Sequence, residues 1–134
     1  MEMMVEHGVY LIPTIIAAER IIEFGKKGAL PKWMAEKAEE CLKNHGKHIK
    51  RMIDMGVKIG FGSDAGCAFD NHGDQGFEFE LMTRYGFSPA GALLSATKVN
   101  SELLKLQNQI GTIQPGKLAD IVGFDKIHWK IFLL

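Results

Sequence analysis

The residues best suited to chemistry lie in one stretch, Gly56-Val57-Lys58-Ile59-Gly60-Phe61-Gly62-Ser63-Asp64-Ala65-Gly66. Its apolar half reads as a short buried strand. Asp64 falls just past the C-terminal end of that strand, where barrel enzymes carry catalytic groups. A carboxylate so placed can ligate a metal, accept a proton, or do both. It can equally cap a turn or bind backbone amides in a Gly-rich loop. His72 follows eight residues later in the same polar loop, residues 63–74, and reads either as a substrate contact or as an ordinary surface histidine.

Other motifs carry less. Gly60-Phe61-Gly62-Ser63-Asp64-Ala65 fits G-x-G-x-x-A by letter. That fingerprint must open a helix and be answered by an acid at the next strand's end. Here loop-forming residues follow, and Glu78 and Glu80 lie in a helical pattern. The run from Asp70 to Gly76 departs from a calcium loop at His72. Ser63 has no Gly-x-Ser-x-Gly setting. Among the remaining histidines, His45 shares the apolar stripe of a helix, His48 borders it, and His7 precedes a strand. Cys67 reads as an inert thiol unless a metal lies near it.

The elements that would position Asp64 and His72 alternate between strand and helix. Residues 9–15 (Val-Tyr-Leu-Ile-Pro-Thr-Ile) form a continuous apolar run, as expected of a strand buried on both faces of a parallel sheet. Residues 31–55 place Met34, Ala38, Cys41, Leu42, His45, Ile49, Met52 and Ile53 on one helical stripe, opened by Pro31 and closed by Gly56. A second strand covers 57–62. Helices are expected at 75–85, at 88–100 with Ser88 as cap and Pro89 in the first turn, and at 101–106. At the end, 109–113 and 118–124 flank Gln114-Pro115-Gly116-Lys117, a type II turn signal that implies a hairpin. Residues 1–8 read as the continuation of a helix with no capping residue, the mark of a piece of something larger.

Composition narrows the function. The chain has 134 residues, 46% of them hydrophobic, with 16 basic and 16 acidic side chains and no net charge. Such a balance argues against nucleic acid as a partner. No run approaches the roughly 18 apolar residues of a membrane span. Cys41 and Cys67 are too few for a disulfide framework and suit a reducing, cytoplasmic setting. Two βα units cannot close a sheet, and a (β/α)₈ barrel takes about 250 residues. The chain is therefore expected to be part of a larger α/β assembly, with open sheet edges through which it could self-associate.

On these residues the sequence is similar to the amidohydrolase superfamily, most of all to the branch holding imidazolonepropionase-like proteins and metal-dependent Xaa-Pro dipeptidases. His7-Gly-Val-Tyr-Leu-Ile-Pro-Thr14 resembles that branch's seventh barrel strand. The Ser63-Asp64 segment resembles the end of its eighth. Asn71-His-Gly-Asp-Gln-Gly-Phe-Glu-Phe-Glu-Leu-Met82 and Gly86-Phe-Ser-Pro-Ala-Gly-Ala-Leu-Leu-Ser-Ala-Thr97 resemble the loop and helices that follow. Gly111-Thr-Ile-Gln-Pro-Gly-Lys-Leu-Ala-Asp-Ile-Val122 resembles the return into a small β domain.

The resemblance implies an α/β fold that is the C-terminal portion of a (β/α)₈ TIM-type barrel, its last two βα units at residues 1–108. A hairpin from a small β-sandwich domain would occupy 109–134. It implies a metal, usually zinc, whose bound water attacks an amide or dipeptide C–N bond of a small-molecule substrate. Asp64 would be both metal ligand and general base, and His72 would lie in the substrate-facing loop. The sequence departs from the pattern in having no His-x-His pair and no strand ahead of Val9. Residues 126–134 also lack the expected turn and strand. One carboxylate cannot hold zinc, so the chain alone is expected to bind no stoichiometric metal and to be inactive. The alternative is a non-catalytic truncated module that associates through its open edges.

Overall fold

The computed structural model describes residues 1–123. Phe124 of the expected hairpin, His128 and Trp129 lie outside the described residues. Helix α1 (Glu2–Glu6) leads into strand β1 (Tyr10–Leu11), then α2 (Ile15–Lys26), α3 (Lys32–Asp54) and strand β2 (Lys58–Ile59). Beyond the loop come α4 (Gly76–Arg84), α5 (Pro89–Leu94), a π-helical turn (Ser95–Val99) and α6 (Asn100–Leu103). As expected for a helical N-terminal segment without a cap, α1 begins with no side-chain capping bond.

β1 and β2 pair in parallel, Tyr10 opposite Lys58 and Leu11 opposite Ile59, so α2 and α3 form the crossover between them. Expectation and structure agree on this order and differ on the strands: β2 spans two residues rather than 57–62, and β1 falls short as well. The strand is two residues long rather than seven, because Pro13 cannot donate to a ladder and Thr14 turns the chain into the left-handed region at φ 43°, ψ 49°. Ile15 and Ile16, β-branched and readable as strand, instead open α2 and are fully buried. Nor is β1 buried on both faces. Tyr10 and Leu11 are half-buried and Val9 is exposed, since the described helices cover the strand pair incompletely.

α3 follows the expected span closely. Its buried face is Ala35, Ala38, Leu42 and Ile49, a stripe slightly rotated from the expected one, which leaves Cys41 exposed and His45 half-buried. The His45 imidazole is held below its ordinary pKa by burial and by the neighbouring His48. α2 packs against α3, and their apolar faces join Val57, Ile59, Leu81, Met82 and Ala92 in one core. At α5 the Ser88 Oγ accepts from the Gly91 N–H at 3.0 Å with Pro89 in the first turn, as the sequence predicts.

The segment after α6 is the clearest departure. Gly116 at φ +86° and the Lys117 N–H bonded to the Gln114 carbonyl at 3.3 Å make the expected turn. Among the described residues, however, its arms form no strand ladder. A single bond from the Leu118 N–H to the Gln109 carbonyl joins them. Ile113, Leu118, Ile121 and Val122 stay exposed, with no second apolar layer to cover them. Instead the Lys117 ammonium ties the arms together by donating to the Gln107 and Ile110 carbonyls and to Thr112 Oγ1.

Candidate functional site

The C-terminal ends of β1 and β2 lie side by side, and each ends on a residue forced into the left-handed region: Thr14 beyond β1 and Asp64, at φ 62°, beyond β2. Two non-glycine residues in that conformation at neighbouring strand ends store strain, on the order of 1–3 kcal/mol each, of the kind that clusters at functional sites. The ends can approach because glycines follow β2 at positions 60 and 62. A methyl group on Gly60 would lie 2.6 Å from Ile12 Cδ1 and 2.5 Å from Asn100 Oδ1. One on Gly62 would lie 2.6 Å from Ile12 Cγ2. The glycine spacing thus serves close packing of strand ends, and no helix opens after it.

Asn100 sits just after the π-helical turn and closes the other side of β2. Its Oδ1 accepts from the Phe61 N–H at 3.0 Å and its Nδ2 donates to the Phe61 carbonyl at 2.8 Å. Ser63 is buried, and its Oγ accepts from the Ala65 N–H at 3.2 Å. The turn-capping role open to Asp64 on sequence grounds therefore falls to Ser63. Asp64 itself is solvent-exposed, and its carboxylate accepts no hydrogen bond among the described residues.

The loop beyond Asp64 folds back on itself. The Gly66 N–H bonds to the Asp70 carbonyl at 2.9 Å, and the His72 Nε2 lies 4.0 Å from the place a Gly66 side chain would take. His72 is exposed. α2 grips the loop from one side. Phe24 stacks on Phe69 with centroids 4.1 Å apart, Arg20 pairs with Asp74 at 3.2 Å, and the Arg20 guanidinium lies over Phe77. Burial and then Asp70 and Asp64 push the Cys67 thiol pKa up, which disfavours its thiolate.

Two acids that sequence reasoning did not single out are buried beside this rim. Asp70 is 1% exposed and neither carboxylate oxygen has a hydrogen-bond partner. Burial raises its pKa against the pull of Arg20, with Asp64 and Asp74 adding to the rise. Glu78 of α4 is fully buried and accepts from the Ile15 N–H at 3.0 Å and the Ile16 N–H at 2.7 Å. Its pKa is pushed up to about 7, burial outweighing those two bonds.

Residues 1–131 match the Amidohydrolase family. The chain belongs to that family. It is 33% identical to a Xaa-Pro dipeptidase whose crystal structure has methionine in the active site, with a TM-score of 0.74 over 88% of this chain and 29% of that one. A second amidohydrolase crystal structure is 31% identical, with a TM-score of 0.72 over 87% of this chain and 28% of that one. A 5-methylthioadenosine/S-adenosylhomocysteine deaminase of Teredinibacter turnerae is 29% identical over 83 residues, 55% of this chain and 19% of that protein. The chain thus spans less than a third of the length of these relatives.

The family generally uses divalent metals, and zinc takes about three protein ligands plus water. Among the described residues no group of three or more His, Cys, Asp and Glu side chains could hold a metal ion. The residues present do not fit a metal centre. No described helix is long and apolar enough to cross a membrane.

Proposed function

We propose that this chain supplies the last two βα units of a barrel-type amidohydrolase, residues 1–108, and the start of its small β domain, 109–134. Asp64 would be its proton-carrying carboxylate. The parallel β1–β2 pair and the likeness to amidohydrolase structures support this reading. The observation that carries it is the state of Asp64: a carboxylate at the end of a parallel strand, held open to solvent while Ser63 does the local capping.

The substrate class is a small amide or dipeptide. Water adds to the carbonyl carbon, forming a C–O bond, and its proton passes to Asp64. The same proton then goes to the departing nitrogen as the C–N bond breaks. His72, whose Nε2 lies 4.0 Å from where a Gly66 side chain would start, would be the substrate contact in this reading. The described residues offer a metal one candidate ligand, so this chain's part in the reaction is the proton and not the metal cage. The remaining groups belong to polypeptide outside these 134 residues, and the isolated chain is inactive.

The test has two arms. The purified chain should contain no stoichiometric zinc and should not hydrolyse N-acyl amino acids or Xaa-Pro dipeptides. In a longer form of the protein that turns over, Asp64→Asn should lower kcat by about a hundredfold or more and leave the thermal transition in place. Turnover by the isolated chain, or full activity in Asp64→Asn, would overturn the reading. The second reading, a non-catalytic module associating through its sheet edges, is favoured by the apolar residues left exposed at Val9 and 113–122. It predicts no activity in any longer form.

A further inference from the structure

We propose that Glu78 is the positioning residue of the Asp64 rim: by holding the first amides of α2 from across the fold, it sets where the end of β1 meets the end of β2. Its functional meaning rests on the reading of Asp64 given above, but its geometry stands without that reading.

A helix leaves its first amides without partners, and a neighbouring side chain normally accepts from them. Thr14 occupies that place in α2 with a left-handed backbone and makes no such bond. The acceptor comes instead from Glu78, 62 and 63 residues away, on the helix that follows the other strand. The carboxylate is 0% exposed, so water cannot replace it, and in its ionised form it meets the positive end of a 12-residue helix. The turn it anchors is the one that touches β2, with Ile12 against Gly60 and Gly62, and the Thr14 Cγ2 3.8 Å from where a Gly62 side chain would start. Displacing that turn displaces Gly62, Ser63 and Asp64. The titratable groups facing Glu78 are Asp70 from the rim loop and Tyr85 just past α4. No cation faces it, so the amides of α2 are its only partners among the described residues.

Amide hydrogen exchange and ¹⁵N shifts of the 134-residue chain test this without metal or substrate, so failure of the hydrolase reading would leave it standing. In Glu78→Gln one acceptor oxygen is lost. At least one of the Ile15 and Ile16 amides should then exchange about tenfold faster or more, and residues 62–66 should shift, while the amides from Leu42 to Ile49 keep wild-type protection. Unchanged Ile15 and Ile16, or a uniform loss of protection throughout, would overturn the proposal. If the variant does not fold, the wild-type chain decides. Between about pH 5 and pH 9, Ile15, Ile16 and residues 62–66 should titrate with one midpoint. A rim that ignores the Ile15 and Ile16 midpoint would sink it.

Discussion

Asn100 does with one side chain what a neighbouring strand would do with its backbone. By pairing with both the N–H and the carbonyl of Phe61 it ends β2 without a third strand. Asn100→Ala leaves both groups unpaired in a half-buried place and should cost about 1–3 kcal/mol of unfolding free energy, read from urea denaturation. Asn100→Asp keeps an acceptor for the N–H but sets a carboxylate against the carbonyl, so it should recover only part of the loss. An Asp variant as stable as wild type would show that the Phe61 carbonyl bond contributes nothing. Asp64 was legible at this scale because an apolar run breaks into Gly-Ser-Asp. Asn100 and Glu78 were not, since their partners lie 39 and 62 or 63 residues away. Glu78 is further hidden by the alternation Phe77-Glu78-Phe79-Glu80, in which both acids look like an ordinary solvated face.

Among the elements, α2 has the largest part in shaping the rim. Its N-terminus is held by Glu78 and its outer face grips the loop through Arg20 and Phe24. The anchor makes stability depend on pH. The Glu78 pKa rises from 4.5 to about 7 on folding, so between those values the folded chain holds a proton that the unfolded chain has released. Stability is therefore full below about pH 4.5 as far as this group is concerned, falls as pH rises through that window, and levels off above it. The loss is on the order of 3 kcal/mol at most. Denaturant midpoints across pH 5 to 8 should show the fall in wild type and a flatter profile in Glu78→Gln. A wild-type profile that rises over this window would reverse the assignment. α3 and α5 were readable because each opens on a proline start signal, and α3 carries an apolar stripe as well. α2 was not: its first two residues are isoleucines that continue the preceding apolar run, and only the left-handed Thr14 separates helix from strand.

At the level of the whole molecule, the described chain leaves much apolar surface uncovered. Met3, Val9, Trp33, Leu104, Ile113, Ile121 and Val122 are all exposed, and β1 and β2 are two residues long each. Apolar side chains exposed in that number favour association, and the purified chain should elute as an oligomer or aggregate by light scattering at micromolar concentration. A monodisperse monomer with a sharp thermal transition would contradict this. The order of elements and the parallel pairing could be read from the sequence because local signals fix them. The absence of a ladder in residues 109–123 could not, since hairpin arms with a good turn still need a second apolar layer to pack on.

The π-helical turn at Ser95–Val99 has a consequence for chain length. Such a turn carries one surplus residue relative to ordinary winding. Deleting one of those five positions would remove the surplus and restore ordinary winding, leaving the residues beyond it nearly where they are. A deletion from the regular turns before it would instead rotate everything beyond by about 100° and carry the Asn100 amide off Phe61. The exposed Thr97 and Lys98 therefore mark a place between Ser88 and Asn100 where the helix can give up a residue.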